Sequence, residues 1–288
     1  MGDSLKMDYK TDEKLLIKKL QQAQLNLLIE LDRVCKIIGV PYCLAFGTSL
    51  GAKRHKGFIP WDDDIDIYMR IEDLKILQKN GELFKEEFFL QHHGSEAEYG
   101  LMITRLRDSN TTLIEEKESD RNINHGIFID IYPLFNTPKD GLGAKKLVVA
   151  SMFYRLLLYG KAPQNRGLIM KLGSIPILIL LPKSLKEKIM RKCYYIMQSY
   201  NKTGYISDLY GDEVNNRMPE KWFFPVKLVP FENLLVPVQA NQHEYLKSIY
   251  GDYMQLPPVE ERKFHHDYVC IDFDKPYTSY KGKLYCKE

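Results

Sequence analysis

The sequence predicts an α/β fold of the α+β kind, a mixed sheet flanked by helices, and three patterns carry this prediction. Residues 16–38 repeat leucine, isoleucine and valine at helical spacing, which is typical of one long amphipathic helix from about Asp12 to Ile38. Residues 64–67 and 126–132 alternate with a period of two and are rich in β-formers, which predicts strands. Residues 142–200 are apolar, basic and helical in pattern, which adds a mostly helical region.

The other predicted elements follow from turn residues and local periodicity. Gly39 and Pro41 end the first helix, and Asn80-Gly81 stops a later one. In chain order these elements are a strand over 42–46, a Gly-Thr-Ser turn and short helix from 47, a strand over 65–69, a helix over 71–79, strands over 100–106 and 111–115, and a helix over 240–250.

A shift in composition near Pro138 predicts the domain organisation. Residues 1–140 form the predicted catalytic module, residues 141–205 a helical lobe, and residues 206–288 a portion that packs on the module.

Composition bounds the class of protein. A net charge of +3 on 288 residues gives no electrostatic argument for a nucleic-acid partner. The five cysteines are scattered and form no close pair, which indicates reduced thiols and a cytoplasmic location. The N-terminal residues are polar, without an apolar signal region, and the most apolar run, 175–181, is far shorter than the ~20 residues of a membrane-spanning helix.

The run from Asp62 to Ile67 holds the candidate catalytic residues. In a strand, Asp64 and Asp66 would project from one face and the two isoleucines from the other. Two carboxylates on one face, beside a third acidic group, can hold a hard divalent cation. Acidic runs are more often solvated turns, and that alternative stays open at this point.

The strand over 126–132 offers a third carboxylate, Asp130, among apolar residues. A lone aspartate is costly to bury unless it is paired or binds a metal, so Asp130 is either a third metal ligand or a strand-end residue. Upstream, the Gly47-Thr48-Ser49 turn runs into a helix whose N-terminus can bind an anion, with Lys53, Arg54 and His55 nearby. A cation site and an anion site in one segment indicate an enzyme acting on a phosphate-containing substrate.

Residues 47–67 resemble the signature of the LicD phosphotransferase family, which includes bacterial phosphocholine transferases and shares a motif with fukutin-related proteins. The resemblance extends over about 27–277, through segments 105–112, 125–131, 231–232, 250–258 and 272–277. It implies a nucleotidyltransferase-like fold, in which Gly47-Thr48 is the glycine turn and Asp64, Asp66 and Asp130 are the acidic triad. Threonine replaces the usual small second residue of that turn, and the spacer to Asp64 is long.

The resemblance implies transfer of a phospho-alcohol, typically phosphocholine, from a CDP-linked donor to a sugar hydroxyl, with release of CMP. Mg²⁺ or Mn²⁺ would be held by Asp64, Asp66 and Asp130, with Asp62 as a further candidate ligand, and Asp130 could instead act as general base. Lys53, Arg54, His55 and Arg107 would bind phosphate, alongside Gly47, Thr48 and Ser49. Trp61 would stack on cytosine or choline, or pack in the core.

Several alternatives stay open. The acceptor could be a teichoic acid, a capsule or a lipopolysaccharide precursor, and it could be linked to a lipid. The basic helical region either contacts the inner face of the membrane peripherally or presents a solvated surface. A nucleotidyltransferase that transfers NMP, and a binding protein without catalysis, are the two other function classes.

Overall fold

A computed structural model of the chain describes residues 13–160, 167–209, 217–263 and 267–287. The helices are α1 (Glu13–Ile38), α2 (Phe46–Arg54), α3 (Ile71–Lys79), α4 (Gly141–Tyr159), α5 (Gly167–Leu180), α6 (Lys183–Gln198) and α7 (Gln242–Tyr250). The strands are β1 (Cys43–Leu44), β2 (Asp66–Arg70), β3 (Phe88–Gln91), β4 (Thr104–Asp108), β5 (Thr112–Glu115), β6 (Ile127–Asn136), β7 (Tyr205–Ser207), β8 (Met218–Pro219), β9 (Lys227–Phe231), β10 (Leu234–Val238) and β11 (Tyr268–Asp272). The predicted mixed α/β fold is therefore confirmed.

The chain divides into two compact units. The first contains residues 1–99, 103–131 and 222–288, and the second contains residues 100–102 and 132–221. The division at 140 and 205 stays a prediction. The predicted helix start at Asp12 and residues 161–166 of the predicted helical stretch lie outside the described residues.

A sheet with the strand order β1-β2-β6-β4-β3 organises the first unit. Strand β4 is antiparallel to β6, and their register sets Arg105 opposite Asp130 and Arg107 opposite Phe128. Because side chains alternate along a strand, this register gives the sheet one face that carries charged residues. The backbone N–H of Asp130 donates to the carbonyl of Ile65, 2.9 Å away, so the two acidic segments are neighbours.

The opposite face of this sheet supplies the core. Ile65 and Ile67 are fully buried beside Leu106 and Ile129, in one cluster with the apolar stripe of α1. Burying an aliphatic side chain of this size stabilises the fold by about 1.5–3 kcal/mol. The alternation predicted for residues 64–67 thus places isoleucine in the core and fixes the side to which Asp66 points.

Two two-stranded antiparallel sheets complete the first unit. Strand β9 pairs with β10 and β11 with β5, both antiparallel. The turn of the β9–β10 ribbon is fastened to the chain after α2, because Glu232 Oε1 accepts a hydrogen bond of 3.0 Å from the Phe58 N–H. The Glu232 N–H also donates to the Lys56 carbonyl, 2.8 Å away. These contacts hold the segment that leads into the acidic run.

The second unit is mostly helical. Helix α4 packs on α6, where the rings of Tyr154 and Tyr194 stack with centroids 5.5 Å apart. Strand β7 pairs with the end of β6 and with β8. Over the described ranges, no helix is both long enough and apolar enough to cross a bilayer. All five cysteines lie in described residues and are free, and four of them are buried.

The predicted strand over 42–46 is wrong at its end. Only Cys43 and Leu44 are in β1, and α2 already begins at Phe46, so the predicted Gly-Thr-Ser turn is the first turn of that helix. Phe46 has a φ of +38°, a left-handed conformation that strains a bulky L-residue. The Ala45 N–H donates to the Asp66 carbonyl at 2.8 Å, and the Phe46 N–H donates to the Tyr245 hydroxyl at 2.8 Å. These bonds hold the sharp change of direction.

Candidate active site

A cavity of about 620 Å³ in the first unit is lined by half of the predicted site residues. It is bounded by the start of α2, by the acidic run and by the segment that follows α7. Lining residues relevant to the site are Phe46, Gly47, Arg54, Trp61, Asp62, Asp64, Asp66, Tyr250, Asp252, Tyr253 and Glu261. Gly47 at the start of α2 and the acidic run therefore line the same cavity, and their roles as a binding site stay a prediction.

Asp66 is the most perturbed group in this cavity. It is only 7% exposed, and its Oδ1 atom is buried without a hydrogen-bond partner among the described residues. Burial holds the pKa of Asp66 well above its usual range, and the charges of Asp64 and Asp130 raise it further. A buried, unsatisfied carboxylate oxygen beside other carboxylates is the environment that a divalent cation would stabilise. The donor set fits a hard cation such as Mg²⁺.

The segment before β2 supplies the other carboxylates of the cavity. Oxygens of Asp62, Asp63 and Asp64 lie within 4.8 Å of one another. Asp62 and Asp64 line the cavity, whereas Asp63 is fully buried and its Oδ2 accepts a hydrogen bond of 2.9 Å from the Tyr268 hydroxyl. Asp62 is thus a stronger ligand candidate than the sequence indicated, and Asp63 serves the packing of β11.

Asp130 lies next to Asp66 but is held by an arginine. Its Oδ1 accepts a hydrogen bond of 2.7 Å from the Nε of Arg105, which the register places directly opposite. The Nη1 of Arg105 also contacts Glu115 and Glu118, each at 2.8 Å. Burial raises the pKa of Asp130, and Arg105 opposes that shift. Asp130 is therefore a carboxylate of fixed orientation, and its role as third metal ligand stays a prediction.

Arg107 has protein partners instead of a place in the cavity lining. It is fully buried, its Nε donates to Gln91 at 2.6 Å, and its Nη1 donates to the Gly126 carbonyl at 2.8 Å. Burial lowers the pKa of Arg107, and the charge of Arg105 adds to this effect. This geometry favours a structural role for Arg107 over the predicted binding of phosphate.

The glycine turn positions the acidic strand. The Asp66 N–H donates to Thr48 Oγ1 at 2.9 Å, so the threonine that departs from the usual pattern joins α2 to β2. Ser49 Oγ donates to Gln239 at 2.8 Å and is buried. Both hydroxyl oxygens therefore take part in hydrogen bonds within the protein, and of the three predicted residues only Gly47 lines the cavity.

The lack of a side chain at Gly47 lets the backbone come close to the carboxylate of Asp62. A Cβ at this position would lie 2.8 Å from Asp62 Oδ2. Of the first-turn N–H groups of α2, that of Phe46 donates to the Tyr245 hydroxyl and that of Ser49 to the Ala45 carbonyl. A helix N-terminus can bind an anion through its first-turn N–H groups, and this role of Gly47 and Thr48 stays a prediction.

The basic and aromatic candidates separate into two groups. Arg54 lines the cavity, with its Nη1 donating to the carbonyl of Tyr253 at 3.0 Å, and Trp61 lines it too. Burial lowers the pKa of Arg54, and Arg262 contributes to that shift. Lys53 is exposed, and His55, 6.2 Å from Trp61 between ring centroids, is partly buried. Neither Lys53 nor His55 is among the lining residues, and burial lowers the pKa of His55.

Sequence reasoning missed two parts of the site. The first is Arg105 with its acidic partners: the register of β4 and β6 sets it opposite Asp130, whereas Glu115 and Glu118 lie at the end of β5 and just after it. The second is the wall formed by Tyr250 to Glu261, almost 200 residues after the acidic run. The family resemblance included segments 105–112 and 250–258, which was the available signal, but it assigned no role to Arg105 or to the residues from Tyr250 to Pro258.

The fold and the cavity define an α/β protein with a pocket lined by several carboxylates. A family model described as "LicD/FKTN/FKRP, nucleotidyltransferase domain" matches residues 39–150. The lipopolysaccharide cholinephosphotransferase LicD of Haemophilus influenzae is 30% identical over 269 residues, which cover 88% of this chain and 97% of that protein. The chain belongs to the LicD family, and the resemblance stated from its sequence is confirmed.

Proposed function

We propose that this protein is a transferase that moves phosphocholine from CDP-choline to a sugar hydroxyl of a cell-surface glycan and releases CMP. The observation that carries the proposal is the unsatisfied, buried oxygen of Asp66 in a cavity shared with Asp62 and Asp64. The name of the Haemophilus influenzae relative supports choline phosphate as the transferred group and lipopolysaccharide as the acceptor. A teichoic acid or capsule precursor is an alternative acceptor.

The cation of this reaction would be Mg²⁺ or Mn²⁺, held by Asp64 and Asp66 with Asp62 beside them and Asp130 as a further ligand. When bound, the cation neutralises charge on the diphosphate and on the leaving CMP. Thr48 holds the backbone of Asp66, and Arg105 holds the carboxylate of Asp130, so the ligands keep their orientation without the cation.

The chain's own groups bind and orient the donor. The amides of Gly47 and Thr48 would donate to a phosphate oxygen, and the absence of a side chain at Gly47 admits the phosphate close to Asp62. Arg54 adds a guanidinium at the wall, fixed by its bond to the Tyr253 carbonyl. Asp64 lines the cavity and would accept the proton of the sugar hydroxyl.

The second unit supports a peripheral contact with the cytoplasmic face of the membrane, where a lipid-linked acceptor would be found. Ile179 and Leu180 at the end of α5 are 73% and 76% exposed, and Lys183 and Lys186 follow at the start of α6. Exposed apolar side chains next to basic ones favour binding to anionic lipid.

The proposal is tested by asking which phosphate is attacked. Purified protein is incubated with Mg²⁺, a cell-envelope extract and either CDP-choline or a nucleoside triphosphate, and products are identified by mass spectrometry. We expect CMP and a glycan that gains phosphocholine from the first donor. The description of the matching family model favours nucleotidyl transfer as a second candidate, which would instead yield pyrophosphate and a nucleotidylated product. Binding of CDP-choline without any product would identify a non-catalytic protein.

A further inference from the structure

We propose that Trp61, Tyr250 and Tyr253, with Asp252 and Glu261, form a subsite for a quaternary ammonium group at the wall of the cavity. The inference rests on the proposed function and names the part of the donor that this wall recognises. A trimethylammonium group would lie against the aromatic rings with carboxylates around it, while the diphosphate lies at the end of the cavity that holds Asp64 and Asp66.

The lining of this wall is aromatic. Trp61, Tyr250 and Tyr253 all line the cavity that contains the buried, unpartnered oxygen of Asp66. The face of an aromatic ring attracts a cation through its quadrupole, with tryptophan the strongest. Trp61 already attracts one cation within the protein, because the guanidinium carbon of Arg262 lies 5.3 Å from its ring centroid. The Trp61 ring therefore already takes part in a cation–π contact with another residue of the protein.

The wall also carries negatively charged side chains. Asp252 and Glu261 line the same cavity as Asp62, Asp64 and Asp66. A diphosphate is anionic, and two further carboxylates in its pocket would weaken its binding unless the ligand also carries a positive group. A neutral alcohol such as glycerol or ribitol offers no such group. Rings combined with carboxylates therefore fit a donor whose alcohol is a permanent cation.

The wall is held in place before any ligand binds. Tyr253 is buried, its hydroxyl lies 2.8 Å from His243 Nδ1, and its carbonyl accepts the bond from Arg54 at the end of α2. The rings of His243 and Tyr253 pack with centroids 5.7 Å apart. Because α7 and α2 both fix Tyr253, a ligand would meet a preorganised surface, which lowers the entropic cost of binding.

The experiment compares two donors that differ in charge alone. CDP-choline and CDP-3,3-dimethylbutanol have the same shape, but the second carries a carbon in place of the quaternary nitrogen. We expect the wild-type protein to prefer CDP-choline by about tenfold in kcat/KM, the size of a desolvated cation–π contact. The Trp61→Leu variant and the Asp252→Asn/Glu261→Gln double variant should each reduce this preference to about threefold or less, mainly through a higher KM for CDP-choline.

Matched variants separate recognition from folding. Trp61→Phe keeps a ring and should retain most of the preference, and Tyr195→Leu, at an exposed tyrosine of α6, should leave it unchanged. Asp252 and Glu261 are exposed, so the double variant is expected to fold even where a change at Trp61 is not tolerated. The inference is overturned if the wild type shows no preference between the donors, or if both test variants keep it. Release of CMP from neither donor would instead refute the proposed function.

Discussion

The surroundings of Asp66 destabilise the ionised form of its carboxyl group. The residue begins β2 directly after the fully buried Ile65, and its carboxylate projects to the face shared with Asp130 and Arg105. Burial and the neighbouring carboxylates raise its pKa, and the Thr48 hydroxyl holds its backbone. The fold thus keeps a buried, unsatisfied carboxylate at a cost in stability, as is common for functional groups.

Asp66→Asn should abolish transfer and stabilise the metal-free protein. The pKa of Asp66 is higher in the native state than in the unfolded state, so this carboxyl group favours folding at low pH. Its contribution to stability is lost as the pH rises above about 4, the pKa of a carboxyl group in the unfolded chain. The amide removes that penalty, so in EDTA at pH 8 we expect about 1–3 kcal/mol of added stability. The gain should shrink as the pH approaches 4.

Thermal unfolding of the wild type, Asp66→Asn and the exposed control Asp274→Asn, each in EDTA at pH 8 and pH 5, measures this effect. Loss of stability in Asp66→Asn at pH 8, or full turnover by that variant with Mg²⁺, would contradict the account.

Arg105 should be among the most costly residues to replace. Arg105→Met leaves Asp130, Glu115 and Glu118 buried without their common partner, and such a loss costs about 3–5 kcal/mol. Lys117→Met is the matched control, because Lys117 also contacts Glu115 at 2.8 Å but is 60% exposed. We expect under about 1 kcal/mol for that change. Urea unfolding of both variants decides the matter, and equal costs would show that the buried network is not required.

At the scale of elements, the site depends on short segments held by close contacts. Helix α2 begins at a strained Phe46, and the Thr48 hydroxyl joins its first turn to β2. Strand β6 begins next to Gly126, whose N–H donates to the Asn124 side chain at 2.8 Å. These contacts set where β2 and β6 begin, and hence where Asp66 and Asp130 lie.

Gly126→Ala should disturb the start of β6. A Cβ there would lie 2.0 Å from the backbone carbonyl oxygen of Asp108, which cannot move without shifting β4. We expect a destabilisation of at least about 2 kcal/mol. Gly81→Ala is the control, since the nearest atom to its Cβ would be 3.9 Å away. Chemical denaturation of the two variants measures the difference, and an unaffected Gly126→Ala would disprove this role.

The end of α5 should govern binding to lipid. In sedimentation with vesicles, the full chain is expected to bind a mixture containing phosphatidylglycerol better than pure phosphatidylcholine. The Ile179→Glu/Leu180→Glu double variant should lose about tenfold in binding, because it places charge where apolar side chains would insert. Ile37→Glu, an exposed isoleucine of α1, is the control. Binding by the double variant equal to the wild type would exclude this surface.

At the scale of the whole molecule, the sequence predicted those features that depend on the periodicity of apolar residues, namely strand faces and helices. Alternation in residues 64–67 and 126–132 placed Asp66 and Asp130 on the polar face of a sheet, because slipping either strand by one residue would expose its isoleucines. The same reasoning predicted the end of α1 at Ile38 and both ends of α3. It could not predict the left-handed Phe46, whose conformation depends on contacts to Asp66 and Tyr245.

Contacts between segments that are far apart in the sequence could not be predicted, because no local sequence pattern indicates them. Arg105 finds Glu115, Glu118 and Asp130 through strand register and chain reversal, so its role appears only in the folded protein. The wall from Tyr250 to Glu261 meets the acidic run across nearly 200 residues, and nothing in the spacing of its tyrosines indicated a shared cavity. Family resemblance marked these segments, but only the fold shows what they contact.

Binding of Mn²⁺, followed by electron paramagnetic resonance in the presence of CDP-choline, tests the central claim most directly. We predict that the wild type binds the ion, that Asp64→Asn and Asp66→Asn each weaken binding by at least about tenfold, and that Asp274→Asn does not. Equal affinity in all four proteins would contradict the assignment of the cation to these carboxylates.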